Sequence, residues 1–301
     1  MIQYLISALT IGALGAILCL GLNIRWGWAG EFDLAFYAFV AIGAYMGGVT
    51  VLGPSNLPGG AAWILGLHQN FVVGALVAMA ATGVVSLVVG AVALRRLRGD
   101  YLGITTVAFA LIVTAIGQHE NKLFNAFNGI YGIPQPLGDS FDAYNYPLFY
   151  LILVLGVLAL VYIALELMYR SPFGLTMRTV REDEIAAAAF GRNVYRTKLV
   201  AYVLGGVVGG LGGFLFSTYL TSWNPDSWNA IETFLLYSAI FLGGQANHRG
   251  VLLGTIVVLI LVPEGTRFLP VVPGHPDLFP AIRSIVSGLL ILAVLRFRPQ
   301  G

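Results

Sequence analysis

Charge and cysteine are scarce in this chain, and so are the groupings that catalysis needs. Only 10% of its 301 residues are charged while 58% are hydrophobic, at a mean hydropathy of +0.84. That excess of apolar residues excludes an ordinary soluble domain and reads as a polytopic integral membrane protein. The net charge is +2, and the basic residues lie in loops between apolar runs, so the pI near 8.7 reflects topology and not a nucleic-acid surface. The lone cysteine, Cys19, sits inside the first apolar run, which excludes an intrachain disulfide and a cysteine metal cluster. His68, His119, His248 and His275 are scattered without ligand spacing, which argues against a metal site. Ser, His and Asp are not gathered anywhere, and no two carboxylates face each other on a plausible helix, so an enzyme is the least supported class. Neither Lys122 nor Lys198 follows a glycine, so no Walker-A phosphate loop exists and no nucleotide or other cofactor is expected on this chain.

The N-terminus lacks a signal peptide's marks. No Lys or Arg precedes the apolar stretch Ile2 to Leu22, and Ile17 and Leu18 stand where a lipoprotein cleavage before Cys19 would need small residues. The stretch is expected to remain as a first span.

What is present is a series of apolar runs long enough to cross a hydrocarbon core, which takes roughly 20 helical residues. Nine are expected, all helical: Ile2 to Asn23, Phe32 to Leu52, Phe71 to Leu94, Tyr101 to Gly117, Pro147 to Met168, Leu199 to Thr221, Trp228 to Gly243, Val251 to Phe268 and Ala281 to Leu295. The fourth, seventh and ninth are short and the second is glycine-rich, so any of these can be broken or re-entrant. The whole chain, 1–301, reads as one transmembrane unit of all-α class.

Cationic loops stay on the cytoplasmic side during insertion. With the N-terminus outside, thirteen of the sixteen Lys and Arg residues fall inside, and only Lys122, Arg267 and Arg283 fall outside. The C-terminus is then cytoplasmic, and the segments Gly53 to Asn70, Gln118 to Tyr146 and Leu269 to Pro280 become short ordered external caps. An odd span count also allows spans one to four to repeat, inverted, as six to nine. The local hint is Glu31-Phe32 through Gly43 beside Glu232 through Gly243, and inverted repeats place a solute path at their interface.

Between Arg170 and Lys198 the chain leaves its apolar habit for 29 residues that hold six basic and three acidic side chains. Ser171 suits an N-cap and Pro172 the first helical turn. A second short helix is expected from near Arg181, with Glu182, Asp183 and Glu184 at its positive end. Ile185, Ala186, Ala187 and the two alanines after them give it a smooth face, Phe190 a single large anchor, and Gly191 a left-handed stop. Such a compact charged hairpin, 170–198, has the shape of a docking element for a soluble partner.

Here the residues reach a resemblance. Ile185-Ala186-Ala187, three residues, then Gly191 resembles the EAA-type loop by which ABC importer permeases engage their ATPases. The longer string Arg181-Glu182-Asp183-Glu184-Ile185-Ala186-Ala187, with Gly191 and Lys198-Leu199, is similar to the M-type permease subunit of branched-chain amino-acid ABC importers. Other blocks agree in order: Asn23 to Gly30, Arg98-Gly99-Asp100-Tyr101, Asn128-Gly129-Ile130 with Gly132-Ile133-Pro134, Ser171-Pro172-Phe173-Gly174, Gly243-Gly244 before Gly250, Pro263-Glu264, and Arg298-Pro299-Gln300-Gly301. The resemblance implies a bacterial inner-membrane permease that pairs with a second, related permease subunit. It also implies two cytoplasmic ATPases that carry ATP and Mg, and a periplasmic solute-binding protein.

Two departures bear on the solute: Asp33-Leu34-Ala35-Phe36 where the family usually has a Ser-Leu-Gly-His type sequence, and Phe124-Asn125-Ala126 where Thr-Gly-Gly is usual. An Asp in the membrane is costly unless hydrated or paired. Asp33, with Glu31 and Tyr37, is a candidate contact for a polar or amine-bearing solute; the plainer reading is a salt bridge from Arg25 to Glu31 or Asp33. Glu232 and Tyr237 are candidates from the opposite repeat, against a plain role for Glu232 capping a helix at the outer interface. Glu166 with Arg170, and Glu264 with Arg267, read as helical ion pairs. The glycines from Gly205 to Gly213 read as close helix packing, with a flexible gate as the sharper alternative. The rival class is an ion-coupled carrier or channel, which has no need of the hairpin.

Overall fold

The computed structural model describes residues 2–54, 63–96, 100–227 and 230–267, four residues of the last apolar run, Ile282, Ile285, Gly288 and Leu289, and Arg296 just after it. Among these, six helices are long and apolar enough to cross a membrane, at 2–28, 71–95, 101–119, 146–170, 194–220 and 248–265, and two shorter apolar helices lie at 36–51 and 232–243. Eight of the nine expected runs are thus helical. The cap from 269 to 280 lies wholly, and the ninth span almost wholly, outside the described residues.

In chain order, α1 (Ile2–Asn23) is continued by a π-helical turn, Ile24–Trp28. An irregular stretch, 29–35, leads into α2 (Phe36–Val51), and α3 (Phe71–Arg96) and α4 (Asp100–His119) follow. A short α5 (Asn121–Phe124) and strand β1 (Ile130–Tyr131) precede α6 (Tyr146–Arg170), α7 (Pro172–Glu182) and α8 (Glu184–Ala189). Then come α9 (Val194–Leu220), β2 (Ser222–Trp223), α10 (Ala230–Gly243) and α11 (His248–Thr255), which passes through a π-helical stretch, Ile256–Leu261, into α12 (Val262–Arg267). The second run forms a helix only from Phe36, so its first four residues stay irregular, part of a stretch, 29–35, that is mostly buried.

The 27-residue α9 is the central rod, packed on α1, α2 and α3. Its glycines make this possible. A Cβ on Gly43 of α2 would lie 2.3 Å from the Gly210 carbonyl oxygen, and one on Gly213 would lie 1.9 Å from that of Val40. Lipid tails are as apolar as leucine, so helices associate here through backbone proximity and packing, which small residues allow. Tyr150 of α6 adds a polar stitch, donating from its buried hydroxyl to the Leu215 carbonyl at 2.6 Å.

One end of the bundle carries the α7–α8 hairpin. At the other, β1 and β2 pair antiparallel, Ile130 with Trp223 and Tyr131 with Ser222, and Trp63 donates to the Gly53 carbonyl at 2.9 Å. The expected caps at 53–70 and 118–146 are therefore ordered over their described residues.

Candidate functional site

The irregular stretch after α1 brings most of the solute-path candidates together. Arg25 and Asp33 are both fully buried and form an ion pair. The guanidinium also donates from Nε to the Tyr202 carbonyl at 2.9 Å and from Nη2 to Ser86 Oγ at 3.0 Å. Its plane lies 3.9 Å from the Tyr202 ring centroid and 4.2 Å from that of Phe39. Every face of the charge is thus occupied, which is the condition under which a buried ion pair persists. Asp33 Oδ1 accepts from the Ala35 amide at 2.9 Å, starting the turn into α2. Its backbone is gripped by Tyr237, whose hydroxyl accepts from the Asp33 amide at 2.9 Å and donates to the Asp33 carbonyl at 3.0 Å.

The salt bridge expected at Arg25 therefore falls to Asp33, deep in the bundle and not at its edge. Glu31 takes a different partner. Lys198 Nζ lies 2.5 Å from Glu31 Oε1 and 2.5 Å from Glu184 Oε1, so one ammonium joins the irregular stretch to α8. Burial holds the Glu31 carboxyl above the ordinary carboxylate value, with Lys198 pulling the other way. That bridging role for Lys198 was not legible in the sequence, because Glu31 and Lys198 are 167 positions apart.

Tyr37 and Glu232 meet at a cavity of ≈ 340 Å³ between α1, α10 and α12, which Gly15, Leu18, Leu236 and Glu264 also line. The Tyr37 amide donates to Thr233 Oγ1 at 3.4 Å across the α2–α10 contact. Glu232 stands in the first turn of α10, where a carboxylate complements the positive helix end. Its expected capping place and its place on the cavity wall are compatible. The sequence reading missed Glu264 as a wall residue; the side chain of its expected partner Arg267 lies outside the described residues.

Along α10 from the cavity-lining Leu236, Tyr237 and Phe241 close up with Trp26 and Phe32. Trp26 and Phe32 are 5.4 Å apart, Phe32 and Tyr237 5.0 Å, Trp26 and Phe241 6.1 Å, and Tyr237 and Phe241 6.1 Å between centroids.

The hairpin differs from expectation in its joints. Pro172 opens α7 after Ser171, but the Ser171 hydroxyl donates back to the Met168 carbonyl at 2.6 Å and caps no amide. The first helix runs on through Arg181 and Glu182, and the break falls at Asp183, two residues later than the sequence indicated. The reason is local chemistry: Asp183 Oδ1 accepts from the Ile185 and Ala186 amides at 2.8 and 2.9 Å, an N-cap that a residue inside a helix cannot make. Gly191 has φ +76° and ends the unit as expected. Ala187 is buried against the bundle, while Ile185 and Phe190 are each 82% exposed. Arg181 turns inward and donates from Nη1 to the Gly27 carbonyl at 2.6 Å.

Glu166 accepts from Arg170 Nε at 2.7 Å, the expected helical pair, and also contacts His248 Nδ1 at 2.9 Å. That makes His248 a packing residue among Trp28, Tyr162 and Tyr169. No group of three His, Cys, Asp or Glu residues positioned to hold a metal occurs among the described residues.

Comparison with known proteins places this geometry. The family described as "Branched-chain amino acid transport system / permease component" matches residues 4–295. A probable branched-chain amino acid transport permease protein LivM of Methanocaldococcus jannaschii is 26% identical over 95% of this chain and 89% of its own. The high-affinity branched-chain amino acid transport system permease protein LivM of Escherichia coli is 27% identical over 97% of this chain and 68% of its own. A nucleoside ABC transporter permease protein NupC of Lactococcus lactis is 30% identical over 46% of this chain and 41% of its own. No solved structure matches. With the match running over nearly all of its length, the chain belongs to the family of branched-chain amino acid transport system permease components.

Proposed function

We propose that this chain is the inner-membrane permease subunit of an ATP-driven importer, passing a small polar solute through the cavity at Tyr37 and Glu232. The solute is an amino acid or a related amide or urea-like compound. A second, related permease subunit completes the path, and a periplasmic binding protein delivers the solute. Two cytoplasmic ATPases hold ATP and Mg and grip the 170–198 hairpin through Ser171, Pro172, Glu182, Asp183, Ile185, Ala186, Phe190 and Gly191; Arg181 and Ala187, also expected as contacts, face the bundle instead. The N-terminus lies outside and the C-terminus inside, with nine spans in which the first four repeat, inverted, as the last four.

The observation that carries this reading is the hairpin's two-sided character. Ile185 and Phe190 each stand 82% exposed, two large apolar side chains left outside the bundle, while Ala187 and Arg181 fix the hairpin to it. A closing partner that seats Phe190 then moves the spans as a rigid body. The bias of thirteen Lys and Arg against three supports a cytoplasmic hairpin. The short α2 and α10, facing each other beside irregular backbone, support the inverted repeat.

The test is reconstitution of the permease with its ATPases and binding protein in vesicles, measuring uptake of labelled leucine and its competition by small amides and urea. Uptake that needs ATP and the binding protein is expected. Accumulation against a gradient by the permease alone would return the ion-coupled carrier.

A further inference from the structure

We propose that Trp26, Phe32, Tyr237 and Phe241 are the gate that shuts the solute cavity toward the hairpin end, and that Lys198 and Arg181 connect this gate to the hairpin. The inference rests on the permease reading above and adds to it the side chains that must part.

The gate's position follows from the chain order. Tyr37 and Leu236 line the cavity. Tyr237 and Phe241 continue along α10 from Leu236 toward the hairpin end, and Phe32 and Trp26 precede Tyr37 in the chain. The four rings come from three separate pieces of backbone: the π-helical turn 24–28, the irregular stretch 29–35, and α10. Their contacts of 5.0 to 6.1 Å bring apolar faces and edges together across that junction. Such contacts are short-ranged and fall away over an ångström or two, so a small shift of one piece opens them.

The two connections land beside the gate. Lys198 holds Glu31, the residue before Phe32. Arg181 holds the carbonyl of Gly27, the residue after Trp26. Lys198 at the same time holds Glu184 on α8, and Arg181 belongs to α7, so both helices of the hairpin reach a gate aromatic through one intervening residue. The backbone that must yield is suited to it: the non-helical stretch 29–35 lacks the continuous hydrogen-bond ladder of a regular helix. What must not yield is Asp33, and it is locked by Arg25 and by the Tyr237 hydroxyl. Asp33 thereby serves as the fixed point about which residues 29–32 move.

Thiol accessibility in native membrane vesicles carrying the whole complex tests this. Cys19→Ala provides the background and Tyr37→Cys the reporter in the cavity; a charged, membrane-impermeant methanethiosulfonate is added from the hairpin side. Labelling of Arg192→Cys, exposed next to Gly191, identifies that side in each preparation. With the gate intact the reporter is expected to react slowly. Adding Phe32→Ala or Phe241→Ala should speed it at least about tenfold, because the rate follows the population of the open state, whereas Phe32→Tyr should leave it slow. Unchanged labelling in both truncations, at normal abundance of the complex, overturns the gate. Lys198→Ala should also speed labelling and Lys198→Arg restore it; an unchanged rate for Lys198→Ala overturns the connection to the hairpin. None of these measurements uses ATP, so a failure of ATP-driven uptake would count against the transport reading and leave this result standing.

Discussion

Arg25 and Asp33, eight residues apart in the chain, are paired at zero solvent exposure inside a bundle whose neighbours are almost all apolar. Removing one member leaves the other charge buried and uncompensated, which costs about 3–5 kcal/mol. Asp33→Asn is therefore expected to lower the melting temperature of the purified complex sharply while leaving the order in which solutes compete unchanged. The double variant Arg25→Met with Asp33→Leu should recover part of the loss. A normal melting temperature with altered solute order would instead make Asp33 a solute contact.

Glu31 gives a dependence on pH. Its folded-state value is raised above the ordinary 4.5 by burial, so the stability that its carboxyl contributes is complete below that value. The contribution is lost as pH rises through the folded value. Comparing melting of the native protein with Glu31→Gln between about pH 4 and pH 7 isolates this group. The variant should gain on the native protein as pH rises, and a constant offset would show that Lys198 cancels the burial entirely.

Asp183 caps α8 with two amide hydrogen bonds. Asp183→Ala should cost about 1 kcal/mol locally, visible as faster amide exchange across 184–190 with the membrane spans unaffected. Asp183→Ser should retain most of the protection.

At Gly191 the left-handed backbone, φ +76°, sets the requirement, because an added Cβ would meet nothing within 4 Å. Gly191→Val should cost about 1–2 kcal/mol through backbone strain alone. It is expected to leave the protein in the membrane with ATP hydrolysis poorly coupled to uptake. Asn tolerates this conformation, so Gly191→Asn should transport nearly normally.

Gly213 faces the opposite demand. Its φ is ordinary, but a Cβ would strike the Val40 carbonyl. Gly213→Ala should separate α2 from α9 and destabilise the complex by about 1–3 kcal/mol, measured by melting in detergent. An unperturbed melt would indicate that these helices slide apart easily.

Those last two cases mark what the chain discloses by itself. Six of the nine expected spans, the helical hairpin and the Gly191 stop were legible because hydropathy over 20 residues and a glycine closing a run of alanines and Phe190 are local signals. The place of Asp183 was misjudged by two residues, since three consecutive acids, Glu182 to Glu184, offer three candidate caps and only the folded backbone selects one. The glycines of α9 could be read as packing or as hinges until Val40 and Gly43 were seen against them. Lys198 with Glu31, and Tyr237 with Asp33, were beyond reach: each joins residues more than 160 positions apart, and their own neighbours carry no trace of the partner. The Trp26 to Phe241 ring cluster was hidden for another reason, being assembled from aromatics that are common throughout such a chain.

The two-stranded ribbon Ile130–Tyr131 with Ser222–Trp223 has a mechanical consequence. It clamps the far tip of α9 to the 121–145 cap, reinforced by the Ile133 amide on the Thr221 carbonyl at 3.0 Å. A 27-residue rod is about 40 Å long. Held at that tip by the ribbon, and near Lys198 by Arg25 on the Tyr202 carbonyl, the rod is anchored at both ends, so a push on the hairpin falls on the irregular stretch 29–32 beside it.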